Sequence, residues 1–186
     1  MRSDRTGPVR ISHRQWATLF EELGRRGGGH KESGAFLLAD ASNTAGRNAR
    51  HVRRVVYYDE LEATCLTGGI TMTASAYDRL WGLCAEHQLT VIADVHTHPG
   101  ISVVQSPLDQ RNPMVATLGH LAFIVPHYAT RPIAPDDVGA YEYQGRHMWR
   151  TVLPVREALI IRFTKPWEIV AYWIKRWRRI RTARAH

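Results

Sequence analysis

Two histidines and an aspartate in the middle of the chain have the spacing of metal ligands. His96 and His98 follow a short apolar run, residues 91–95, that is typical of a strand. Residues two apart on a strand point to the same face, so both imidazoles can aim at one point. With Asp109 as a third ligand, the donor set suits zinc and leaves a fourth tetrahedral position for water, as in catalytic zinc sites. The stretch from residue 96 to residue 109 therefore predicts a hydrolytic zinc centre.

Hydrolysis also needs groups that move protons and stabilise charge. Zinc lowers the pKa of its bound water to about 7, but a carboxylate that does not ligate the metal must carry the water's proton to the leaving amine. Glu32 is the candidate, because it stands at the entrance of an apolar segment, 32–39, beside two small residues. Ser106 lies close to Asp109 in sequence and could donate to the developing oxyanion, a contact worth about 3 kcal/mol.

Each of these residues also has a plain structural interpretation. The histidines and Asp109 could be ordinary core and loop residues, and a glutamate at a strand entrance is usually solvated. Ser106 could simply cap a turn or helix that runs through Asp109. The joint spacing of the two histidines, the serine and the aspartate favours chemistry over coincidence.

Further polar residues are predicted to play supporting roles. Asp94 shares the strand parity of the histidines, so it could orient an imidazole or form an internal hydrogen bond. Cys65 and Cys84 are the only cysteines, which excludes a disulfide framework and a cysteine-based zinc knuckle and indicates reduced, partly buried thiols. Four more histidines lack ligand spacing and are expected to be structural or exposed: His51, His120, His127 and His147.

The complete pattern resembles the JAMM (MPN+) metallopeptidases, and its bacterial Prok-JAB branch in particular. It consists of His96-Thr97-His98, seven intervening residues, Ser106, two more, and Asp109, with an upstream segment Glu-Ser-Gly-Ala-Phe-Leu-Leu that begins at Glu32. The resemblance extends over residues 32–143. It implies an α+β fold with α/β/α layers, in which a curved, mostly antiparallel sheet is flanked by helices around a cytidine-deaminase-like core.

The resemblance also implies roles for the residues of the motif. One zinc ion per chain would be held by His96, His98 and Asp109, with Glu32 as general acid and base and Ser106 assisting the oxyanion. Members of the family commonly cut peptide or isopeptide bonds after the C-terminal tail of ubiquitin or a ubiquitin-like protein, and the tail adds to a sheet edge. The implied activity is that of a deubiquitinase-like isopeptidase.

Some segments indicate which branch of the family the sequence resembles most. Residues 119–126 look closest to bacterial members found with ubiquitin-like conjugation systems, which implies a ubiquitin-like protein or its conjugate as substrate and activating or conjugating enzymes as partners. The segments 59–72 and 126–137 lie where family insertions hold substrate. DNA-repair-associated relatives usually have His-Asn-His-Pro-Ser-Gly, from which Thr97 and the pair Gly100-Ile101 depart, and this argues against a repair role. Ala35 and Ala39 replace glycines that are frequent in the family, which are small changes.

The periodicity around the motif predicts alternating helices and strands. A capping box at residues 12–15 starts a helix with an apolar stripe, and Gly24 and the glycines at 27–29 end it. Thr73 or Ser75 starts a second helix. Strand patterns cover residues 32–39, with an antiparallel partner at 52–58, and residues 91–95 and 120–125. A hairpin of 138–143 with 147–152 is predicted to turn at Gln144-Gly145. The segments 59–72 and 126–137 are expected to be irregular.

The length of 186 residues favours one domain with appendages. We expect an N-terminal stub at 1–10, a JAMM/MPN metallopeptidase domain at 11–155, and an extension at 156–186 with a strand and a basic amphipathic helix from about residue 164. The chain shows no secretory leader and no apolar run of membrane-spanning length, which predicts a cytoplasmic protein.

The net charge of +8 is concentrated at the C-terminal end. Six cations lie within the last twelve residues: Lys175, Arg176, Arg178, Arg179, Arg181 and Arg184. The remaining body is nearly neutral, which argues against a nucleic-acid-binding surface on it. The basic helix could lie on an anionic membrane, hold a partner or cover the core. The alternative to an enzyme is a non-catalytic MPN-type binding or scaffold module that uses this helix to contact membrane, nucleic acid or a protein partner.

Overall fold

A six-stranded mixed sheet forms the centre of the protein in the computed structural model, which describes residues 7–43, 50–66 and 70–163. Nine strands are described: β1 (Val9–Ser12), β2 (Gly34–Asp40), β3 (Arg50–His51), β4 (Arg54–Tyr57), β5 (Leu89–Thr97), β6 (Leu121–Val125), β7 (Gly139–Gly145), β8 (Met148–Thr151) and β9 (Leu159–Arg162). The central sheet has the order β4-β2-β5-β6-β7-β8. β5 and β6 run parallel, and the other neighbours in this sheet are antiparallel. The predicted α+β fold with a mostly antiparallel sheet is confirmed.

In the described residues four α-helices accompany the strands: α1 (His13–Gly27), α2 (Tyr58–Leu61), α3 (Ala74–Glu86) and α4 (Pro107–Arg111). The strand β2 separates two apolar cores, because successive side chains alternate between its faces. Ala35 and Leu37 belong to the cluster that contains the apolar side of α1, whereas Phe36 and Leu38 belong to the cluster that contains α2 and α3. The sheet is therefore covered by helices on both faces.

The first helix follows its sequence signals closely. The hydroxyl of Ser12 accepts the backbone N–H of Gln15, and the side chain of Gln15 accepts the backbone N–H of Ser12, which is the predicted capping box. The apolar stripe that begins at Trp16 is buried. Gly24 lies inside the helix, so its predicted role at the end is wrong. The helix ends at Gly27, and Gly28 adopts a left-handed φ of 58° as the C-cap.

A second, smaller sheet joins the two ends of the described chain. Its order is β3-β1-β9, and β1 pairs in parallel with both neighbours. β1 begins inside the predicted stub, and β9 lies inside the predicted C-terminal extension. The domain bounds at residues 10 and 155 stay a prediction, and the predicted basic helix from about residue 164 lies outside the described residues.

Several predicted bounds differ from the structure. β2 begins at Gly34, so Glu32 precedes the strand, and Tyr58 starts α2 instead of ending β4. The hairpin of β7 and β8 turns at Arg146 and His147, where φ is 52° and 59°, and the predicted turn at residues 144–145 is wrong. A two-residue hairpin turn with positive φ at both positions matches the twist of the strands, even without glycine there. Among the described residues, no helix has the length and apolarity needed to cross a membrane.

Candidate metal centre

The end of β5 brings the two motif histidines together. His96 is the last residue but one of β5 and is buried, and His98 follows just beyond the strand. Their Nε2 atoms are 3.2 Å apart, and the rings are tilted by 48° with centroids 5.1 Å apart. The i, i+2 spacing therefore places both imidazoles at one point, as the strand period predicts.

The short helix α4 delivers the aspartate. Ser106 is its N-cap, and the serine hydroxyl accepts the backbone N–H of Asp109 at 3.1 Å. In return, Asp109 Oδ2 accepts the backbone N–H of Ser106 at 2.7 Å. Ser106 therefore caps the helix, as its structural interpretation predicts. The capping box fixes the carboxylate of Asp109 at the start of the helix.

The three side chains lie close enough together to share one metal ion. Asp109 Oδ2 lies 3.4 Å from His98 Nε2, and Asp109 Oδ1 lies 3.8 Å from His96 Nε2. Ligand atoms about 2.1 Å from a tetrahedral ion are separated by about 3.4 Å, a value that the 3.4 Å between His98 and Asp109 and the 3.2 Å between the imidazoles match. One donor atom from each residue lies within 4.8 Å of the others. The described residues 96, 98 and 109 could hold a metal.

The ionisable side chains of the candidate metal centre shift one another's pKa values. Burial alone would lower the pKa of His96, but Asp109 and Asp94 outweigh it and raise that pKa to about 9. Burial alone would raise the pKa of Asp109, but hydrogen bonds and charge from His96 and His98 hold it well below the usual range. The site thus concentrates negative charge that a proton on His96 balances, and a cation can replace that proton.

Glu32 lines the same cavity as the three candidate ligands but is not among the clustered donor atoms. The next residue, Ser33, is tied to the segment between the histidines. Its N–H donates to Thr97 Oγ1 at 2.9 Å, and its carbonyl accepts the Thr97 N–H at 2.9 Å. The Ser33 hydroxyl also donates to the carbonyl of Leu23 in α1 at 2.8 Å. Three buried hydrogen bonds therefore fix the backbone next to Glu32 relative to the histidines.

A cavity of about 880 Å³ opens onto the centre. Apolar side chains from the loop after α2, from α4 and the loop that follows it, and from β8 line part of it: Ile70, Met72, Leu108, Met114 and Trp149. Lys31, Glu32, Ser106 and Asp109 are among its polar lining residues. An apolar cleft with a few convergent polar groups is the usual form of a binding site.

Comparisons with known proteins agree with the site. Over 64 residues, 34% of the chain, it is 33% identical to a protein of Sinorhizobium fredii named "Probable metalloprotease y4jG". The name of this relative agrees with a metalloprotease, the class of enzyme that the motif predicts. The match spans 39% of that relative's length. No protein-family model matches the sequence.

Two solved structures with TM-scores above 0.5 share the fold of this chain. Protein DSY2949 of Desulfitobacterium hafniense aligns with 85% of the chain and 95% of its own, with a TM-score of 0.53 and 14% identity. A protein of Salinibacter ruber aligns with 84% of the chain and 92% of its own, with a TM-score of 0.53 and 16% identity. A JAB1/MPN domain protein of Archaeoglobus fulgidus aligns with 82% of the chain and 98% of its own, with a TM-score of 0.43 and 16% identity.

The sequence analysis does not predict one buried pair of side chains beside the candidate metal centre. His120, expected to be an ordinary structural or surface histidine, lies with its Nε2 2.7 Å from Asp94 Oδ1. Asp94 Oδ2 lies 3.6 Å from His96 Nδ1, and His120 and His96 together hold the pKa of Asp94 low against the effect of burial. Spacing gives no sign of this pair, because β5 and β6 come together only through the parallel register of the sheet.

Proposed function

We propose that this chain is a zinc-dependent metallopeptidase that hydrolyses peptide or isopeptide bonds. The observation that carries the proposal is the convergence of His96, His98 and Asp109 within reach of one metal ion, in a cavity that also contains Glu32 and Ser106. The local match with a protein named a probable metalloprotease supports the same chemistry.

Zinc is the metal that fits the donor set best. Two imidazole nitrogens and one carboxylate oxygen are typical ligands of catalytic zinc, and three protein ligands leave one position for substrate or water. A zinc ion here would supply Lewis acidity, which polarises a carbonyl and lowers the pKa of water.

Side chains of the protein supply proton transfer and stabilisation of the oxyanion. Glu32 accepts the proton of the attacking water and returns it to the leaving amine, a contribution that is typically worth a factor of about 10² to 10⁴. The link between Ser33 and Thr97 keeps the main chain beside Glu32 close to the histidines. Ser106 Oγ uses a lone pair, not its proton, to cap α4, so the same hydroxyl can donate to the oxyanion.

We extend the proposal to substrates in which the C-terminal glycine of a ubiquitin-like protein is joined through an amide bond to another protein or peptide, and the enzyme cuts that bond. The resemblance of the motif supports this extension, and the apolar lining of the cavity suits an extended peptide. Enzymes that activate or conjugate the ubiquitin-like protein are the natural partners of such an activity.

Hydrolysis of a fluorogenic amide at the C-terminal glycine of a ubiquitin-like protein tests the proposal. The gene for a suitable ubiquitin-like protein is best sought beside the gene for this chain. We expect Glu32→Gln to lower kcat by at least about 10²-fold, because the amide cannot carry a proton. The matched control is Glu21→Gln, on the exposed side of α1, which should leave kcat unchanged.

The outcomes separate the mechanism from the substrate class. Activity that survives chelation or the Glu32→Gln substitution rejects the metallopeptidase mechanism. Zinc-dependent cleavage of an unrelated peptide, without cleavage of the ubiquitin-like substrate, rejects the substrate class alone.

A further inference from the structure

We infer that Asp94 and His120 form a buried positioning pair that orients His96 toward the metal. The inference rests on the proposed metal site and goes beyond it, because neither residue belongs to the ligand motif. The pair lies on the side of His96 that faces away from His98 and Asp109. It contacts His96 through the ring nitrogen that does not take part in the ligand cluster.

The chemistry of the imidazole explains why His96 needs such a partner. When Nε2 of a neutral histidine ligates a metal, Nδ1 carries the ring proton and requires an acceptor. His96 is 7% exposed, so water is a poor candidate for that acceptor. Asp94 Oδ2 faces Nδ1 at 3.6 Å, and a movement of about 0.7 Å shortens this separation to an ordinary hydrogen bond.

The second oxygen of Asp94 determines where the carboxylate points. Asp94 Oδ1 lies 2.7 Å from His120 Nε2, and because an ionised carboxylate can only accept, Nε2 of His120 is the donor. The hydroxyl of Tyr58 donates to Oδ2 at 3.5 Å. With Oδ1 held by His120, Asp94 is kept outside the ligand cluster and presents Oδ2 to His96.

The burial of these groups argues for a specific role. Asp94 is 1% exposed, His120 is 3% exposed and Tyr58 is fully buried. The other ring nitrogen of His120, Nδ1, is buried without a hydrogen-bond partner in the described part of the chain. A buried ring nitrogen without a hydrogen-bond partner costs free energy, and an apolar side chain could fill the same space without that cost. The contact with Asp94 therefore accounts for a histidine at this position.

Cobalt binding to the full-length protein tests the inference with a readout that does not depend on activity. The affinity for Co²⁺ is measured by competition with a chelator, and the visible absorption band of the bound ion reports its coordination. Asp94→Asn and His120→Phe should each weaken Co²⁺ binding by about 10- to 100-fold, because partners of metal-bound histidines have effects of this size. His120→Gln, which can still donate to Asp94, should recover affinity to within about threefold of wild type.

Two controls make each outcome informative. Circular dichroism and thermal melting of the metal-free variants establish that they are folded at the temperature of the titration. His87→Phe, at the exposed C-cap of α3, should bind Co²⁺ like wild type.

If wild type binds Co²⁺ tightly and folded Asp94→Asn and His120→Phe bind it equally well, the positioning role is overturned and the metal site stands. Weakened binding in His120→Phe that His120→Gln does not recover also overturns it, because the donor to Asp94 would then be irrelevant. If wild type itself does not bind Co²⁺, or binds it without His98, the metal site fails and the inference fails with it.

Discussion

Gly34 lies at the start of β2, two residues after Glu32, where β2 pairs with the part of β5 that carries His96. Gly34→Ala should therefore disturb the positions of both Glu32 and His96. Gly34 pairs with His96 across β2 and β5, and it follows Ser33 directly. A Cβ at this position would lie 2.2 Å from Tyr58 Cε2 and 2.7 Å from two other atoms of the same ring. Tyr58 is fully buried and donates to Asp94, so its ring has little freedom to move aside.

The size of the effect follows from the overlap. To reach an ordinary contact of about 3.4 Å, the ring and the strand must separate by about 1.2 Å. Overpacking of this kind costs about 1 to 3 kcal/mol of unfolding free energy. The matched control is Gly82→Ala in α3, where a Cβ would meet nothing within 4 Å. Alanine is the better helix former, so the control should gain about 0.5 to 1 kcal/mol.

Urea denaturation of the metal-free variants measures both effects, and Co²⁺ titration of the folded proteins measures the consequence for the site. We expect Gly34→Ala to be less stable than Gly82→Ala by about 1.5 to 4 kcal/mol and to bind Co²⁺ more weakly than wild type. A Gly34→Ala protein that matches wild type in stability and metal affinity refutes the claim that close packing on Tyr58 positions the site.

Two further predictions concern stability and reactivity. Arg26 pairs with three carboxylates, including Glu60 at 2.7 Å, and its guanidinium lies 4.0 Å from the centroid of an aromatic ring. In urea denaturation Arg26→Met should therefore lower the unfolding free energy by about 2 kcal/mol. Arg25→Met removes a mostly exposed ion pair and should change it far less, and equal effects of the two substitutions contradict the assignment. Burial raises the pKa of Cys65 to about 11 and also raises that of Cys84. At pH 8 the native thiols should react with iodoacetamide at least about a hundredfold more slowly than in urea, as mass spectrometry can follow, and rapid native labelling contradicts their burial.

Local signals account for the parts of the fold that the sequence predicts well. The capping box at Ser12 and the N-cap at Thr73 involve residues within one helical turn, and both appear in the structure. The two histidines share a face because of the strand period, and the cap at Ser106 places Asp109 at the start of α4. Each of these features depends on neighbours in sequence, so the amino-acid order is enough to find it.

The features that escape prediction depend on pairings between distant segments. The contact between Asp94 and His120 exists only because β5 and β6 are parallel neighbours in a particular register. The link from Ser33 to Thr97 crosses 64 positions of the sequence, and it explains how the chain beside Glu32 is held near the histidines although Glu32 precedes the strand. No periodicity reports either contact, because both are set by the order of the strands.

A crystal structure of the zinc-soaked protein, with an anomalous difference map at the zinc edge, tests the central claim most directly. The account predicts one peak per chain, about 2.1 Å from His96 Nε2, His98 Nε2 and an oxygen of Asp109, with the carboxylate of Glu32 turned toward the ion without ligating it. A peak at another position, or a Glu32 side chain that points to solvent away from the histidines, would contradict it.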